Sequence, residues 1–215
     1  SYRLLPSLSI AAGAVFRLSK VMLERNQAAI NPFTNAFLDV AHVKLNSDLL
    51  DNSGWGWNAA LMFKPVDNLT FGFSFRSKVR IDYDLTAKFT QRTSGNAAFD
   101  AAVAASLPSG NNPATTSIEF PASANVGAAV TLLDKALTVS AQADWTQWTS
   151  FKTLDVVFTN LPALGIHRVN DWKNVWAYRG GIEYKVTKTV AVRAGYYYDK
   201  TGQPLIDAGP ILSDS

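Results

Sequence analysis

Alternation of apolar and polar side chains over residues 54–85 constrains the fold of this chain more than any other feature. The segment reads GWGWNAALMFKPVDNLTFGFSFRSKVRIDYDL. Because successive side chains of a β-strand point to opposite faces, the pattern predicts two strands joined by a short turn, with one apolar, aromatic face and one polar face. The residues predicted on the apolar face are Trp55, Trp57, Ala59, Leu61, Phe63, Phe71, Phe73, Phe75, Val79, Ile81, Tyr83 and Leu85. A soluble sandwich would bury this face against a second sheet, whereas a membrane barrel would turn it to lipid and the polar face to its lumen.

Similar alternation elsewhere predicts seven antiparallel strands in all. They cover residues 8–18, 39–63, 70–85, 120–132, 137–146, 176–185 and 190–199. The second segment can also be interpreted as two strands with a tight turn at residues 51–54. We prefer one strand with a bulge near residues 52–54, because only then do all tight turns lie at one rim and all long loops at the other.

The lengths of the connections favour the membrane barrel. Tight connections at residues 64–69, 133–136 and 186–188 alternate with long ones at residues 20–38, 88–117 and 156–172, which is typical of an up-and-down barrel. Charged residues make up 17% of the chain, below the roughly 25% of soluble domains. Six aromatic residues cluster where the long loops begin and end, as an interfacial girdle would: Trp145, Trp148, Phe151, Trp172, Trp176 and Tyr178. The sequence therefore predicts an all-β fold, a transmembrane antiparallel up-and-down β-barrel with long extracellular loops and one short helix.

Motifs of enzymes and of metal or nucleic-acid sites are missing from the sequence. It contains no cysteine, no G-x-S-x-G, no Walker A, no H-E-x-x-H and no Rossmann fingerprint. The net charge is only +3 and no block of five like charges occurs, so we expect no nucleic-acid partner. His42 and His167 could each serve an outer-membrane Ser-His hydrolase, but neither lies in a recognisable motif. We therefore predict a protein that is not an enzyme and needs no cofactor or metal.

The predicted helix over residues 97–107 carries Phe99, Val103 and Leu107 at helical spacing in an otherwise polar loop. Two interpretations are open. The three side chains can pack on strand ends so that the helix caps the loop, or they can form an apolar surface on which a hydrophobic ligand first binds.

Four runs of residues resemble the FadL/TodX family of outer-membrane transporters for long-chain fatty acids and aromatic hydrocarbons. The runs are residues 54–60 (GWGWNAA), 75–82 (FRSKVRID), 144–151 (DWTQWTSF) and 172–176 (WKNVW). The resemblance implies a fourteen-stranded barrel whose lumen is plugged by an N-terminal hatch, with an extracellular capture groove, a lumenal pocket and lateral release into the membrane. It also implies that residues 1–215 are a partial barrel domain, the middle half of such a protein, without its hatch and its first and last strands.

The resemblance further implies two ligand-binding residues and a set of partners. Arg25 closes a Leu-Glu-Arg stretch after the first strand and Arg168 shortly precedes the Trp-Lys stretch; in fatty-acid importers of the family these positions face the ligand carboxylate in the lumenal pocket. The alternative is that both are solvated loop arginines. The implied partners are a long-chain fatty acid or another hydrophobic small molecule and the lipid and lipopolysaccharide of a Gram-negative outer membrane, with the full-length protein a monomer.

Overall fold

The chain folds into two antiparallel β-sheets and one α-helix in a computed structural model that describes residues 1–202. The strands in chain order are β1 (Tyr2–Leu5), β2 (Leu8–Leu18), β3 (Met22–Ile30), β4 (Phe37–Ser47), β5 (Ser53–Val66), β6 (Leu69–Arg76), β7 (Val79–Gln91), β8 (Asn112–Phe120), β9 (Ser123–Leu132), β10 (Leu137–Thr146), β11 (Thr153–Phe158), β12 (Ile166–Val169), β13 (Val175–Lys185) and β14 (Ala191–Tyr198). The helix α1 spans Ala97–Ser106, and single 3-10 turns lie at Trp148–Ser150 and Pro162–Leu164. No helix in this part of the chain is long and apolar enough to cross a membrane.

Eight strands form one continuous sheet, which we call the wall, in the order β1-β2-β5-β6-β9-β10-β13-β14. Tight turns at residues 67–68, 133–136 and 186–190 join β5 to β6, β9 to β10 and β13 to β14. The long connections all lie at the other ends of these strands. The predicted alternation of short and long connections is therefore confirmed, and the wall adds β1 to the seven predicted segments.

The other six strands form a second sheet, which we call the distal sheet, in the order β12-β11-β8-β7-β4-β3. Its strands follow the order of the wall strands that they extend. β3 and β4 extend β2 and β5, β7 and β8 extend β6 and β9, and β11 and β12 extend β10 and β13. Arg76 pairs with Ser123 in the wall and Val79 with Phe120 in the distal sheet, so the register between the two strands is unchanged across the junction. The ladder is interrupted only at residues 77–78 and 121–122, where Pro121 has no N–H to donate.

The prediction of one strand over residues 39–63 is wrong. β4 belongs to the distal sheet and β5 to the wall. Ser47 and Asn58 are eleven positions apart in the sequence, whereas their pairing partners Leu85 and Arg76 are nine positions apart. The two additional residues are absorbed in the turn at residues 48–52. The fully buried Asn52 holds this turn, since its side chain donates to the carbonyl of Asp48 and accepts from the N–H of Asp84 at 3.0 Å.

The prediction that Val79, Ile81, Tyr83 and Leu85 lie on an outward apolar face is also wrong. They form the core of the distal sheet, where Tyr83 is 1% exposed. They pack there with Val43, Leu45, Ala87, Ala114, Val156 and Phe158. In the wall the same alternation does leave its apolar face exposed, as at Trp55, which is 70% exposed, and Phe73. The pattern is the same in both sheets, but the chain leaves the plane of the wall at residues 77–78.

The long connections are not simple loops, contrary to prediction. β3, β12 and most of β8 lie within residues predicted as loop, and only α1 was expected there. Each of these strands pairs with a neighbour over several residues. The three connections therefore form an ordered layer beyond the wall.

The predicted aromatic girdle divides into two groups. Trp145 pairs across strands with Trp176, which stacks on Tyr178 on the apolar face of the wall. Phe16 and Trp55 extend this girdle on the same face, with ring centroids 4.8 Å apart. The second group is a packed cluster at the junction with the distal sheet, in which Trp172 contacts the rings of Trp148 and Phe151.

Candidate functional site

A hydrogen-bonded network crosses the polar face of the wall from β6 to β13. Ser74 Oγ donates to Asn125 Oδ1 at 3.2 Å, and Asn125 in turn donates to Oδ1 of Asp144. Gln142 Nε2 donates to the same carboxylate oxygen at 2.5 Å, and Arg179 forms an ion pair with Oδ2. The strand register brings these groups together, because Ser74 pairs with Asn125 and Asn125 with Asp144. The carboxylate is thus neutralised where it faces the interior.

Two adjoining cavities lie along this network. A groove of about 620 Å³ is lined by Met62, Gly72, Gly127, Ser140, Gln142 and Gly181, among others. A smaller cavity of about 260 Å³ is lined by Asn58, Ser74, Arg76, Ser123 and Asn125, among others. Ser74 and Asn125 line both, so the groove and the smaller cavity adjoin there. The site can hold an elongated molecule against the wall, with polar groups at one end.

β7 passes over the polar face of β5 at Gly54 and Gly56. Gly54 and Gly56 lie on that face, opposite to Trp55 and Trp57. A Cβ atom on Gly56 would lie 2.6 Å from Cγ2 of Val79. The alternation of glycine and tryptophan in this stretch therefore lets the distal sheet fold over the interior on one face and presents indoles on the other.

Arg25 and Arg168 lie on β3 and β12, the two edge strands of the distal sheet. The side chain of Arg25 is exposed and that of Arg168 is half-buried. No contact between them occurs in residues 1–202, and four strands separate them within the sheet. Beside Arg25, the hydrogen bond and charge of Lys44 lower the pKa of Glu24, with a smaller contribution from His42. The prediction that the two arginines face one carboxylate stays a prediction.

The helical residues Phe99 and Val103 are 7% and 8% exposed and pack with Val40, and Leu107 borders the same cluster. The N-terminus of α1 is capped by Asn96, whose Oδ1 accepts from the N–H of Phe99 at 3.1 Å. This is the packing that the capping interpretation describes. A ligand could reach the buried Phe99 and Val103 only if the helix moved.

The two histidines lie on the distal sheet, away from the cavities. His42 contacts Glu24 at 3.5 Å, and His167 forms an ion pair with Asp155 on the neighbouring strand. No hydrogen bond joins either of them to a serine in the described part of the chain. The described part of the chain also contains no group of three or more His, Cys, Asp or Glu side chains placed to hold a metal ion.

Alternation along each predicted strand places Ser74, Arg76, Asp144 and Arg179 on the polar face, where the structure has them, but it does not reveal that this face borders a cavity. Alternation does not give the register between strands that are distant in sequence. That register brings Asp144 close to Arg179 and pairs Arg76 with Ser123 instead of an acidic residue. The sequence signal that could have revealed the Asp144–Arg179 pair is the presence of opposite charges at equivalent depths on neighbouring predicted strands.

Residues 1–209 match the family model described as "Outer membrane protein transport protein (OMPP1/FadL/TodX)". The chain belongs to this family. The predicted family and the predicted transmembrane barrel are thereby confirmed, and the localisation is that of the family, the outer membrane of Gram-negative bacteria. The polar face of the wall accordingly lines the lumen and the apolar face contacts lipid.

Solved structures of this family are similar to the chain along nearly its whole length. A Pseudomonas aeruginosa FadL homologue is 23% identical with a TM-score of 0.73, over 94% of this chain and 48% of its own. The Ralstonia pickettii toluene transporter TbuX is 15% identical with a TM-score of 0.61, over 93% and 53%. The P. putida toluene transporter TodX is 17% identical with a TM-score of 0.55, over 93% and 52%. The chain thus spans about half the length of these structures. No curated protein sequence matches it.

Proposed function

We propose that the protein of which residues 1–215 are part carries hydrophobic compounds across the outer membrane, with long-chain fatty acids as its principal cargo. The observation that carries the proposal is the groove along the polar face of the wall, with the smaller cavity beside it, in a chain of this transporter family. The groove runs parallel to a wall whose strands are paired without a gap from β2 to β14. Aromatic hydrocarbons are the alternative cargo, since two of the similar structures are toluene transporters.

The arginines support an anionic cargo over a neutral one. We propose that Arg25 and Arg168, on the two edge strands of the distal sheet, attract the carboxylate of the cargo in the lumenal pocket. A guanidinium forms strong, charge-assisted hydrogen bonds with a carboxylate. A toluene-like molecule would gain nothing from these side chains.

We also propose that Phe99, Val103 and Leu107 form the first apolar contact for the cargo. Their cluster is small, with Val40 and Ala29 as the other members. Few apolar contacts therefore oppose a local opening of α1, and segments of this kind open at low free energy. In this proposal the helix caps the loop at rest and exposes its apolar side chains when a ligand arrives.

The remaining proposals concern the whole barrel. We propose that β1 and β14, which are the edges of the wall, pair with further strands of the full-length protein, because a barrel in lipid has no open edge. The closed barrel would be a monomer. Lipid and lipopolysaccharide would cover its apolar face, where Trp55, Trp57 and Tyr178 are exposed.

The test of the proposed function is uptake by the full-length protein in liposomes, with labelled palmitate and labelled toluene as cargo. Gly72 lines the groove and has no atom within 4 Å of a Cβ built on it. A Gly72→Trp variant should therefore fold, fill the groove and reduce uptake at least tenfold. Phe73→Trp, one residue along on the lipid-facing side, should leave uptake unchanged. Unimpaired uptake by Gly72→Trp would refute the proposed route.

A further inference from the structure

Two leucines in the turn between β4 and β5 are exposed at the end of the wall where the long connections lie. Leu49 is 48% exposed and Leu50 is 80% exposed, and no other large apolar side chain in residues 1–202 is more exposed than Leu50. The exposed residues Asp48 and Asp51 flank them. The turn therefore presents an apolar tip between two charged residues.

Hydrogen bonds at both ends fix the backbone of this turn. Before the turn, the N–H of Ser47 donates to the carbonyl of Val21 at 2.9 Å, and its Oγ accepts from the N–H of Val21 at 2.8 Å. After the turn, the carbonyl of the buried Asn52 accepts from the N–H of Ser19 at 3.1 Å. The two leucines are thus displayed by a preformed turn, and a binding partner does not have to order it.

The leucines continue the lipid-facing surface of the wall. Ser53, the first residue of β5 after the turn, pairs with Leu18, and two positions further Trp55 pairs with Phe16 of the aromatic girdle. The side chains of Leu18, Trp55 and Phe16 are all exposed on the apolar face. The apolar tip therefore lies next to the girdle, at the level where the bilayer meets water.

The lumenal side of the chain is already covered at this level. β7 lies against the lumenal face of β5, where a Cβ atom on Gly54 would be 2.5 Å from the carbonyl oxygen of Arg80. The side chain of Asn52 also points to β7, because it accepts the N–H of Asp84 at 3.0 Å. The side of the turn that stays free is therefore the one on which the wall contacts lipid.

We propose that the turn at residues 48–52 is an interfacial anchor whose Leu49 and Leu50 insert among the acyl chains of the outer leaflet. The carboxylates of Asp48 and Asp51 stay at the level of the head groups, because a charged group loses its hydration in the acyl region, whereas the leucines gain by leaving water. Through Asn52 the anchor also connects β7 to the membrane surface. The inference goes beyond the proposed transport function and holds for either cargo.

The test measures the surroundings of position 50 in the full-length protein, reconstituted in phosphatidylcholine vesicles. Residues 1–215 contain no cysteine, so Leu50→Cys gives one labelling site in this part of the protein, once any cysteine elsewhere has been replaced. A fluorophore at this site should be quenched by lipid brominated near the head-group end of its acyl chains and protected from iodide in the water. Phe73→Cys, on the lipid-facing side of β6, is the membrane reference and should be quenched more strongly by bromine near the chain terminus.

Val157→Cys is the matched control. Val157 is an apolar side chain of the distal sheet that is 56% exposed, and brominated lipid should not quench its label. If iodide quenches the label at position 50 and brominated lipid does not, the turn lies in water. If neither quenches it, protein covers the turn, either a second copy or the remainder of the full-length chain. Each of these two results overturns the inference.

A variant without a label tests the same contact independently of the fluorophore. Leu49→Ser combined with Leu50→Ser should lower the midpoint of urea unfolding from lipid, because two apolar side chains no longer gain burial among the acyl chains. Val157→Ser removes an exposed apolar side chain from the distal sheet and should leave the midpoint unchanged. The heat-dependent shift in electrophoresis shows that each variant has folded. An unchanged midpoint in the double variant would show that the leucines do not anchor the barrel.

Discussion

Gly54 lies directly against Val79, so closely that a Cβ atom at position 54 would be 2.7 Å from Cγ1 of Val79. The same Cβ would be 2.5 Å from the carbonyl oxygen of Arg80, a backbone atom that cannot turn aside. The wall and the distal sheet therefore meet at a position where only hydrogen fits. This contact fixes the angle at which β7 leaves the wall and passes over the interior.

Gly54→Ala should destabilise the junction between the two sheets by about 1–3 kcal/mol, because the added methyl group overpacks a site bounded by backbone. The measurement is the midpoint of thermal unfolding of the full-length protein, followed by its heat-dependent shift in electrophoresis. Gly72→Ala is the control, since its Cβ would meet nothing within 4 Å. If both variants unfolded at the same temperature as the wild type, β7 would not be held against β5 as described.

The two faces of the wall should respond differently to charge. Phe73→Arg should cost about 2–4 kcal/mol, because an arginine near the middle of the bilayer loses its hydration. Phe73 is exposed on the apolar face of β6. Gly72→Arg, at the same depth but on the groove side, should cost much less. Equal losses in urea unfolding from lipid would contradict the assignment of the faces.

Alternation of side chains was sufficient to predict the wall, because each of its strands has one apolar and one polar face along its full length. It failed for the distal sheet for two physical reasons. Strands such as β3, with the sequence MLERNQAAI, have no clean alternation, and their stability comes from pairing with β4 rather than from their own pattern. In β7 the pattern was read correctly, but a local sequence cannot show that Ile81 and Tyr83 meet other side chains instead of lipid. The bend at residues 77–78 and the close approach at Gly54 are tertiary features.

The segment before α1 should be sensitive to acid through Asp100. The carboxylate accepts hydrogen bonds from the N–H of Ser94 at 2.8 Å and from its hydroxyl at 2.7 Å, and these bonds lower the pKa of Asp100. A lowered pKa in the folded state means that the stabilisation is fully present above the ordinary aspartate pKa of about 4 and is lost as the pH falls through the folded value. Proteolysis of residues 92–111 should therefore accelerate below about pH 4.

An Asp100→Asn variant should show much of that acceleration already at neutral pH and little further change on acidification, since its amide carries no charge. Asp134→Asn, in a tight turn at the opposite end of the wall strands, is the control and should behave as the wild type. A wild-type protein cleaved at the same rate at pH 7 and pH 3 would show that the Ser94–Asp100 contact does not hold this segment.

The contribution of Arg25 and Arg168 can be separated from that of the hydrocarbon chain. Burial of about 14 methylenes at about 0.8 kcal/mol each gives roughly 11 kcal/mol before the costs of association. A charge-assisted hydrogen bond to the carboxylate adds about 1.5–3 kcal/mol. The chain of the fatty acid therefore provides most of the affinity, and the arginines select and orient an anionic head.

Changing both Arg25 and Arg168 to Ala in the full-length protein should weaken fatty-acid binding about ten- to a hundredfold, since 1.4 kcal/mol is a factor of ten. A neutral hydrocarbon of similar area should bind almost as before, which can be measured by competition with labelled palmitate. Arg80→Ala is the control. Arg80 is also an exposed arginine of the distal sheet, but it is paired with Asp82, so its loss should leave fatty-acid binding unchanged. If the double variant loses both ligands equally, these two side chains support the structure. If it loses neither, the carboxylate is recognised elsewhere or the natural cargo is uncharged.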